Sequence, residues 1–296
     1  MRVLSLFDGL GGTRIALDKL NFECEYFSSE IDPYAESIAK KNYPDIISLG
    51  DARAIDLNNL PKIDLMVAGF PCQDLSQNSV AGKGLKGEKS KLFYTALNIL
   101  QRVQPTYFLF ENVIMSKQNQ DKISSYLGAQ PVKQNSSEVS AQLRSRLYWT
   151  NFGFSQFTTD DSPCLGDIMD WDGSHDGTCK MREFRGSKKT KWIAVSSDKS
   201  LQRQRVYCPS GKSPCVNTHF PPKVYLGDLK YRKLTIAECE KLQTIPVDYT
   251  DGVSKTQRIK MLGNSFTAEI ISRILSPLLY PSYKQLCFIS YCNHQN

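Results

Sequence analysis

The chain has 296 residues, 41% hydrophobic and 23% charged, the balance of an ordinary globular protein with room for one large domain or one and a half smaller ones. No apolar run approaches the ~20 residues that cross a bilayer, and the apolar start is too short for a signal peptide, so no membrane partner and a cytoplasmic location are expected. The formal net charge is +7, and nine cysteines with no C-x-x-C pair and three histidines fit neither a zinc site nor a disulfide framework, so no metal is expected.

Taken in chain order, residues 2–7 read as a strand, 9–12 as a glycine turn and 13–20 as the opening of a helix, with Ile15, Ala16, Leu17 and Leu20 apolar. A strand at 25–29, a helix at 33–42 with Pro33 in its first turn, and strands at 46–49 and 64–68 follow. A helix at 92–103 leads to a strand at 107–110 that ends on Glu111–Asn112. Strand–helix alternation with short links predicts an α/β fold with a parallel sheet and helices on both faces. From 151 to about 231 the rhythm is lost, with only short β-like pieces at 192–195 and 205–208. Helices return at 235–243, where Thr235 and Glu238 have the form of a capping box, and at 267–279. The excess charge is local: residues 180–205 hold nine Lys or Arg against Glu183 and Asp198. That cluster reads either as a solvated face or as a surface for phosphates.

The chemistry gathers at strand ends. Phe7–Asp8–Gly9–Leu10–Gly11–Gly12 follows a strand and opens a helix, where glycines allow a tight turn and close approach of a ligand. Glu30 ends the next strand about 20 residues on, the place at which a nucleotide ribose is gripped. The glycines lack the G-x-G-x-x-G spacing, which argues for an adenosine cofactor other than NAD. Pro71–Cys72 ends the strand at 64–68, and Glu111–Asn112–Val113 ends the strand at 107–110. Gln142–Leu143–Arg144–Ser145–Arg146 and Gly263–Asn264–Ser265 come later. Ends of strands in an open α/β sheet meet at one edge, so Cys72 and Glu111 can face one pocket. A cysteine, a carboxyl group and two arginines suggest covalent catalysis on an electron-poor ring.

In this order, with residues 232–246 (RKLTIAECEKLQTIP) between the last two, these motifs resemble those of the C5-cytosine DNA methyltransferases of bacteria and phages. Residues 123–149 show local resemblance to the animal de novo methyltransferases. The resemblance implies a Rossmann-like S-adenosylmethionine-dependent methyltransferase sheet in a catalytic domain of residues 1–152 plus 250–296, and a small target-recognition domain of residues 153–249. It implies that Cys72 adds to C6 of a cytosine flipped out of duplex DNA, that Glu111 holds a proton against N3, and that Arg146, helped by Arg144, binds O2. The S-adenosylmethionine site would comprise Phe7, Asp8, Gly9, Leu10, Gly12, Glu30, Ile31, Asp51, Ala52, Pro71, Leu92, Asn264 and Ser265. Gln73, Ser76, Lys83, Lys89, Gln142, Arg203 and Arg205 would contact double-stranded DNA, with residues 73–91 forming a loop over it.

The implied protein is a monomer, with a cognate restriction endonuclease as a functional partner that need not be bound to it. Two rival readings stand beside it. A transfer-RNA cytosine methyltransferase would carry a Cys–Phe–Thr tripeptide in its target region, which is absent here. A catalytically silent relative would lack Pro–Cys or Glu–Asn–Val, and both are present.

Overall fold

The computed structural model describes residues 1–71, 91–171, 174–178, 192–194 and 205–279. Its elements in chain order begin with β1 (Arg2–Leu6), α1 (Gly12–Asp18), β2 (Glu25–Ser29), α2 (Pro33–Asn42), β3 (Ile47–Ser48), β4 (Leu65–Ala68), α3 (Lys91–Val103), β5 (Tyr107–Val113), α4 (Lys117–Leu127) and β6 (Val132–Asn135). They continue with β7 (Gln142–Leu143), β8 (Ser145–Thr150), α5 (Leu165–Ile168), β9 (Gly177–Thr178), β10 (Trp192–Ala194), β11 (Arg205–Tyr207) and β12 (Ser213–Pro214). The last are β13 (Lys223–Gly227), β14 (Lys230–Lys233), α6 (Ile236–Leu242), α7 (Lys255–Asn264) and α8 (Ala268–Leu279).

The chain forms two compact units: Met1–Gln134, Arg146–Gln156 and Ala268–Asn296 make the first, Asn135–Ser145 and Phe157–Thr267 the second. The first holds a seven-stranded sheet in the order β3-β2-β1-β4-β5-β8-β6. Strands β3, β2, β1, β4 and β5 are parallel. β8 runs antiparallel to β5, a departure from the all-parallel expectation. Strand order reverses between β1 and β4, which makes their carboxyl ends the switch point where such sheets bind ligands.

Parallel strands are covered on both faces, so they read as continuous apolar runs. Leu4, Leu6, Met66, Ala68, Phe108 and Phe110 form one buried cluster with Phe93, Ala96 and Ile99 of α3 and Ile123 and Leu127 of α4. The alternate residues Val3, Leu65, Val67 and Leu109 are fully buried too. Trp149 of β8 joins the cluster and donates its indole N–H to Ser124 Oγ at 3.0 Å, which fastens α4 to the sheet. α1 packs against α8.

The second unit contains a five-stranded sheet, β10-β11-β13-β14-β9, and the parallel pair β12-β7. The capping box at α6 forms as expected: Thr235 Oγ1 accepts from Glu238 N at 3.1 Å and Thr235 N donates to Glu238 Oε2 at 2.7 Å. Arg232 also grips Glu238 with two bonds of 2.7 Å.

The compact units divide the chain differently from the expected ranges. α7 belongs to the second unit, whose end lies at Thr267 rather than near 250, and residues 135–145 belong to it as well. A buried amide network runs through this unit. Gln243 Nε2 donates to Leu262 O at 2.6 Å, while its Oε1 accepts from Gln142 Nε2 at 3.0 Å and from Thr267 Oγ1 at 3.1 Å. These bonds draw β7, α6, α7 and the entry to α8 together, and no hydrophobic period announces them.

Candidate active site

The first turn is shaped by its backbone. Phe7 (φ 55°), Gly9 (φ 60°) and Gly11 (φ 84°) all lie in the left-handed region; glycine adopts it freely, whereas Phe7 must be held there. Phe7 therefore ends β1 one residue earlier than expected. Glu30, at the end of β2, holds the turn. Its Oε2 accepts from Gly9 N at 2.7 Å, and its Oε1 accepts from Ile31 N and Asp32 N at 2.8 and 2.7 Å. Ile31 beside it is 68% exposed, an apolar side chain that the protein leaves uncovered at this rim. Ser29 Oγ donates to Gly50 O at 2.7 Å, which fixes the bend before Asp51.

Asp51 is bound by the guanidinium of Arg53 through Nε and Nη2, and by Arg53 N at 2.9 Å. The Arg53 side-chain bond, with the backbone bond next, holds its carboxyl below the usual carboxylate range. Ala52 is buried behind it, and Leu92 and Pro71 are half-buried.

Two expected cofactor residues face inward. The Asp8 carboxyl is buried and accepts from Ser5 Oγ at 2.6 Å, Tyr26 Oη at 2.8 Å and Ser28 Oγ at 2.8 Å. Burial raises its pKa to about 6, against the lowering effect of these hydroxyls. Leu10 is fully buried. Only the backbones of Asp8 and Leu10, with Gly9 and Gly12, form the turn itself.

At the end of β4 the carbonyl of Phe70 accepts from Asn112 Nδ2 at 2.9 Å, while Asn112 Oδ1 accepts from Val113 N at 2.8 Å. The Phe70 ring packs on Phe93 and Phe110, with centroids 5.2 and 6.4 Å away. The backbone that leads into Pro71 is thus held on both sides. Asn112 was given no role on sequence grounds; a polar residue inside an apolar strand end was its signal. Glu111, one residue earlier on β5, pairs through Oε1 with Arg146 Nε of β8 at 3.0 Å, both side chains being largely buried. The antiparallel register sets Val113 opposite Arg146 and Glu111 opposite Tyr148, so the ion pair crosses the strands diagonally.

Arg144, two residues before Arg146, lies in the second unit. Its guanidinium donates to Gly263 O, at 3.3 Å from each of two nitrogens, and to Ser265 O at 2.7 Å. Gln142 is fully buried, and its amide bonds to Leu242 O, Gln243 and Val216 N within that unit. Gly263 stands so close to the Asn217–Thr218 backbone that a Cβ would come within 2.5 Å of Asn217 C. Asn264 is exposed, and Ser265 is buried with Oγ donating to Phe266 O at 3.1 Å. Arg205 is half-buried on β11. Cys72, Gln73, Ser76, Lys83, Lys89 and Arg203 lie outside the described residues, as does most of the basic cluster at 180–205.

Residues 1–128 and 181–279 match the family model described as C-5 cytosine-specific DNA methylase. The chain is 28% identical over 311 residues to the type II methyltransferase M.NgoBI of Neisseria gonorrhoeae, covering 95% of this chain and 94% of that one. It is 26% identical over 312 residues to the type II methyltransferase M.SsoII of Shigella sonnei, covering 94% and 80%. Among solved structures, the methyltransferase EhMeth of Entamoeba histolytica aligns with a TM-score of 0.71 at 15% identity over 93% of this chain and 97% of that one. The Dnmt2 methyltransferase of S. pombe aligns with 0.65 at 19% identity over 95% and 99%. At those identities the two structures speak to the fold.

Proposed function

Because the chain belongs to the C-5 cytosine-specific DNA methylase family and is a DNA (cytosine-5) methyltransferase, we propose that it flips a cytosine from duplex DNA and methylates C5 through a covalent adduct between Cys72 and C6. The observation that carries this reading is the largely buried Glu111–Arg146 pair on β5 and β8, one residue from the Asn112 side chain that clasps the backbone before Pro71–Cys72.

The residues of the first turn fit S-adenosylmethionine. Glu30 offers a carboxylate for ribose hydroxyls, Ile31 an uncovered apolar surface for adenine, Asp51 an acceptor for the adenine amino group, and the Gly9–Gly12 backbone a close approach for the methionine part. When bound, S-adenosylmethionine supplies the electrophilic methyl group that C5 takes.

The remaining chemistry belongs to the protein. Cys72 attacks C6 as a thiolate, forming the S–C6 bond and moving the ring electrons so that C5 becomes nucleophilic. A free thiol has a pKa near ~8.5, so the site must favour the anion or remove its proton on attack. Glu111 holds a proton at N3 and Arg146 binds O2, where negative charge develops. The carboxylate and the guanidinium are partners of each other; N3 and O2 of cytosine offer each a further partner. Loss of the C5 proton and elimination of the thiolate then break the S–C6 bond and restore the ring. Arg144 acts through the Gly263–Ser265 backbone rather than on the base.

The type II names of the relatives support a role beside a restriction endonuclease; in the same reading the chain acts as a monomer in the cytoplasm of a bacterial or phage-infected cell. Incubation with radiolabelled S-adenosylmethionine tests the reading: duplex DNA should be labelled, and Cys72→Ser should abolish labelling. Labelling confined to transfer RNA, or none at all, would sink it. Duplexes with 5-fluorocytosine should trap the adduct, because fluorine at C5 blocks elimination.

A further inference from the structure

β13 and β14 pair antiparallel, with Lys223 directly opposite Lys233 and Tyr225 directly opposite Tyr231. The alternate residues Val224 and Arg232, also opposite each other, are buried. The two lysines and two tyrosines therefore share the outer face of the ribbon. Lys223 Nζ lies 5.1 Å from the centre of the Tyr231 ring. The ring lies against Gly177 of β9, where a Cβ would come within 3.2 Å of Tyr231 Oη. Glycine at that position leaves the ring room to form a floor beneath the ammonium.

Like charges placed directly opposite each other oppose strand pairing. Burial, and then Lys233, lower the pKa of Lys223 from its ordinary value, with Asp176 opposing. Asp176 itself is tied to backbone: its Oδ2 accepts from Lys233 N at 2.6 Å and its N donates to Tyr231 O at 2.8 Å. Other acids of this unit serve other cations, Glu238 pairing with Arg232, Glu240 with Arg258 and Asp170 with Lys241. Among the described residues no carboxylate forms an ion pair with Lys223 or Lys233. A local conflict that the packing does not require is the mark of a surface built for something else, and two ammonium groups on one face, that of Lys223 over an aromatic ring, suit an anion.

We propose that this lysine–tyrosine face of the β13–β14 ribbon holds the phosphodiester backbone of the DNA substrate, with Lys223 and Lys233 contacting phosphate. The inference rests on DNA being the substrate. Phosphates carry no base identity, so the face sets affinity and salt dependence and leaves the choice of cytosine to other residues.

Duplex binding by the full chain, followed by fluorescence anisotropy over a salt series, tests this with Lys223→Gln, Lys233→Gln and the double variant. Each loss of charge should flatten the slope of log affinity against log salt by about 0.9. The weakening should be alike for duplexes of different sequence. Lys233→Arg, which keeps the charge, should keep the slope. Relief of the like-charge pair should leave melting temperatures at or above wild type, so weakened binding cannot be ascribed to unfolding. Unchanged slopes and affinities in the glutamine variants would overturn the proposal, as would a changed sequence preference with an unchanged slope. Failure of wild type to bind duplex DNA at any salt would instead remove the DNA reading on which it rests.

Discussion

Asn112 at the end of β5 donates Nδ2 to the carbonyl of Phe70 at the end of β4 across 2.9 Å. One side chain thus joins two neighbouring strand ends, one carrying Glu111 and the other leading into Pro71–Cys72. Asn112→Ala removes the donor to this buried carbonyl and should lower stability by about 1–3 kcal/mol. The single-turnover rate of methyl transfer should also fall, because the segment before Cys72 loses a restraint. A variant that melts lower but reacts at the wild-type rate would show that the clasp serves the fold alone.

Arg146 and Glu111 are expected to fail in the chemical step. Glu111→Gln keeps the shape but removes the exchangeable carboxyl proton, and should slow methyl transfer by about 10²–10⁴. Arg146→Ala should cost about 10²–10³. Both should bind S-adenosylmethionine as wild type does, since the proposed cofactor groups lie on other turns; equilibrium dialysis separates the two effects.

Arg144 should behave differently although it is two residues away. Arg144→Ala leaves the carbonyls of Gly263 and Ser265 without its charged donors, worth about 1.5–3 kcal/mol. Thermal melts should show a larger loss of stability than for Arg146→Ala. The opposite ranking would move Arg144 from a support to a reacting group.

Asp8 gives a pH signature. Its pKa rises from 3.8 to about 6 in the folded protein, so between those values the native state binds more protons than the unfolded chain. The stabilisation from the protonated carboxyl is complete below about pH 4 and is lost as pH rises through about 6, an effect of order 3 kcal/mol. Asp8→Asn cannot titrate. Chemical denaturation from pH 4 to 7 should show a shallower fall in stability with rising pH for the variant than for wild type; parallel curves would exclude the assignment.

Gly263→Ala would drive a methyl group into the backbone of Asn217 and Thr218, at 2.5 and 2.6 Å. Main chain cannot step aside as a flexible side chain does, so a loss of about 1–3 kcal/mol is expected. Circular dichroism melts measure it, and a wild-type melting temperature would refute the close packing.

Most of the first sheet was legible because parallel strands must be apolar on both faces and glycine must occupy positive φ. Helix α4 was not foreseen. Its residues Lys117–Leu127 bury only Ile123, Ser124 and Leu127, too few apolar positions to mark a period. α7 escaped for the same reason, burying Ile259, Met261 and Leu262. At the site, Glu111 and Arg146 were named before their pairing was seen, whereas Asn112 was named in a motif but given no role, because its bond to the Phe70 carbonyl depends on the neighbouring strand.

The sequence by itself determined most strands of the first sheet, the α/β class and the family, because each depends on local periodicity or on short motifs in a set order. Tertiary structure alone decided the rest. Arg144 and Arg146 stand two residues apart, yet one guanidinium turns to the Gly263 and Ser265 carbonyls and the other to Glu111. The buried amide of Gln142 met that of Gln243, and Lys223 met Lys233 across a ribbon. These outcomes depend on which distant backbone comes within hydrogen-bond reach, and that is set by long-range register and packing.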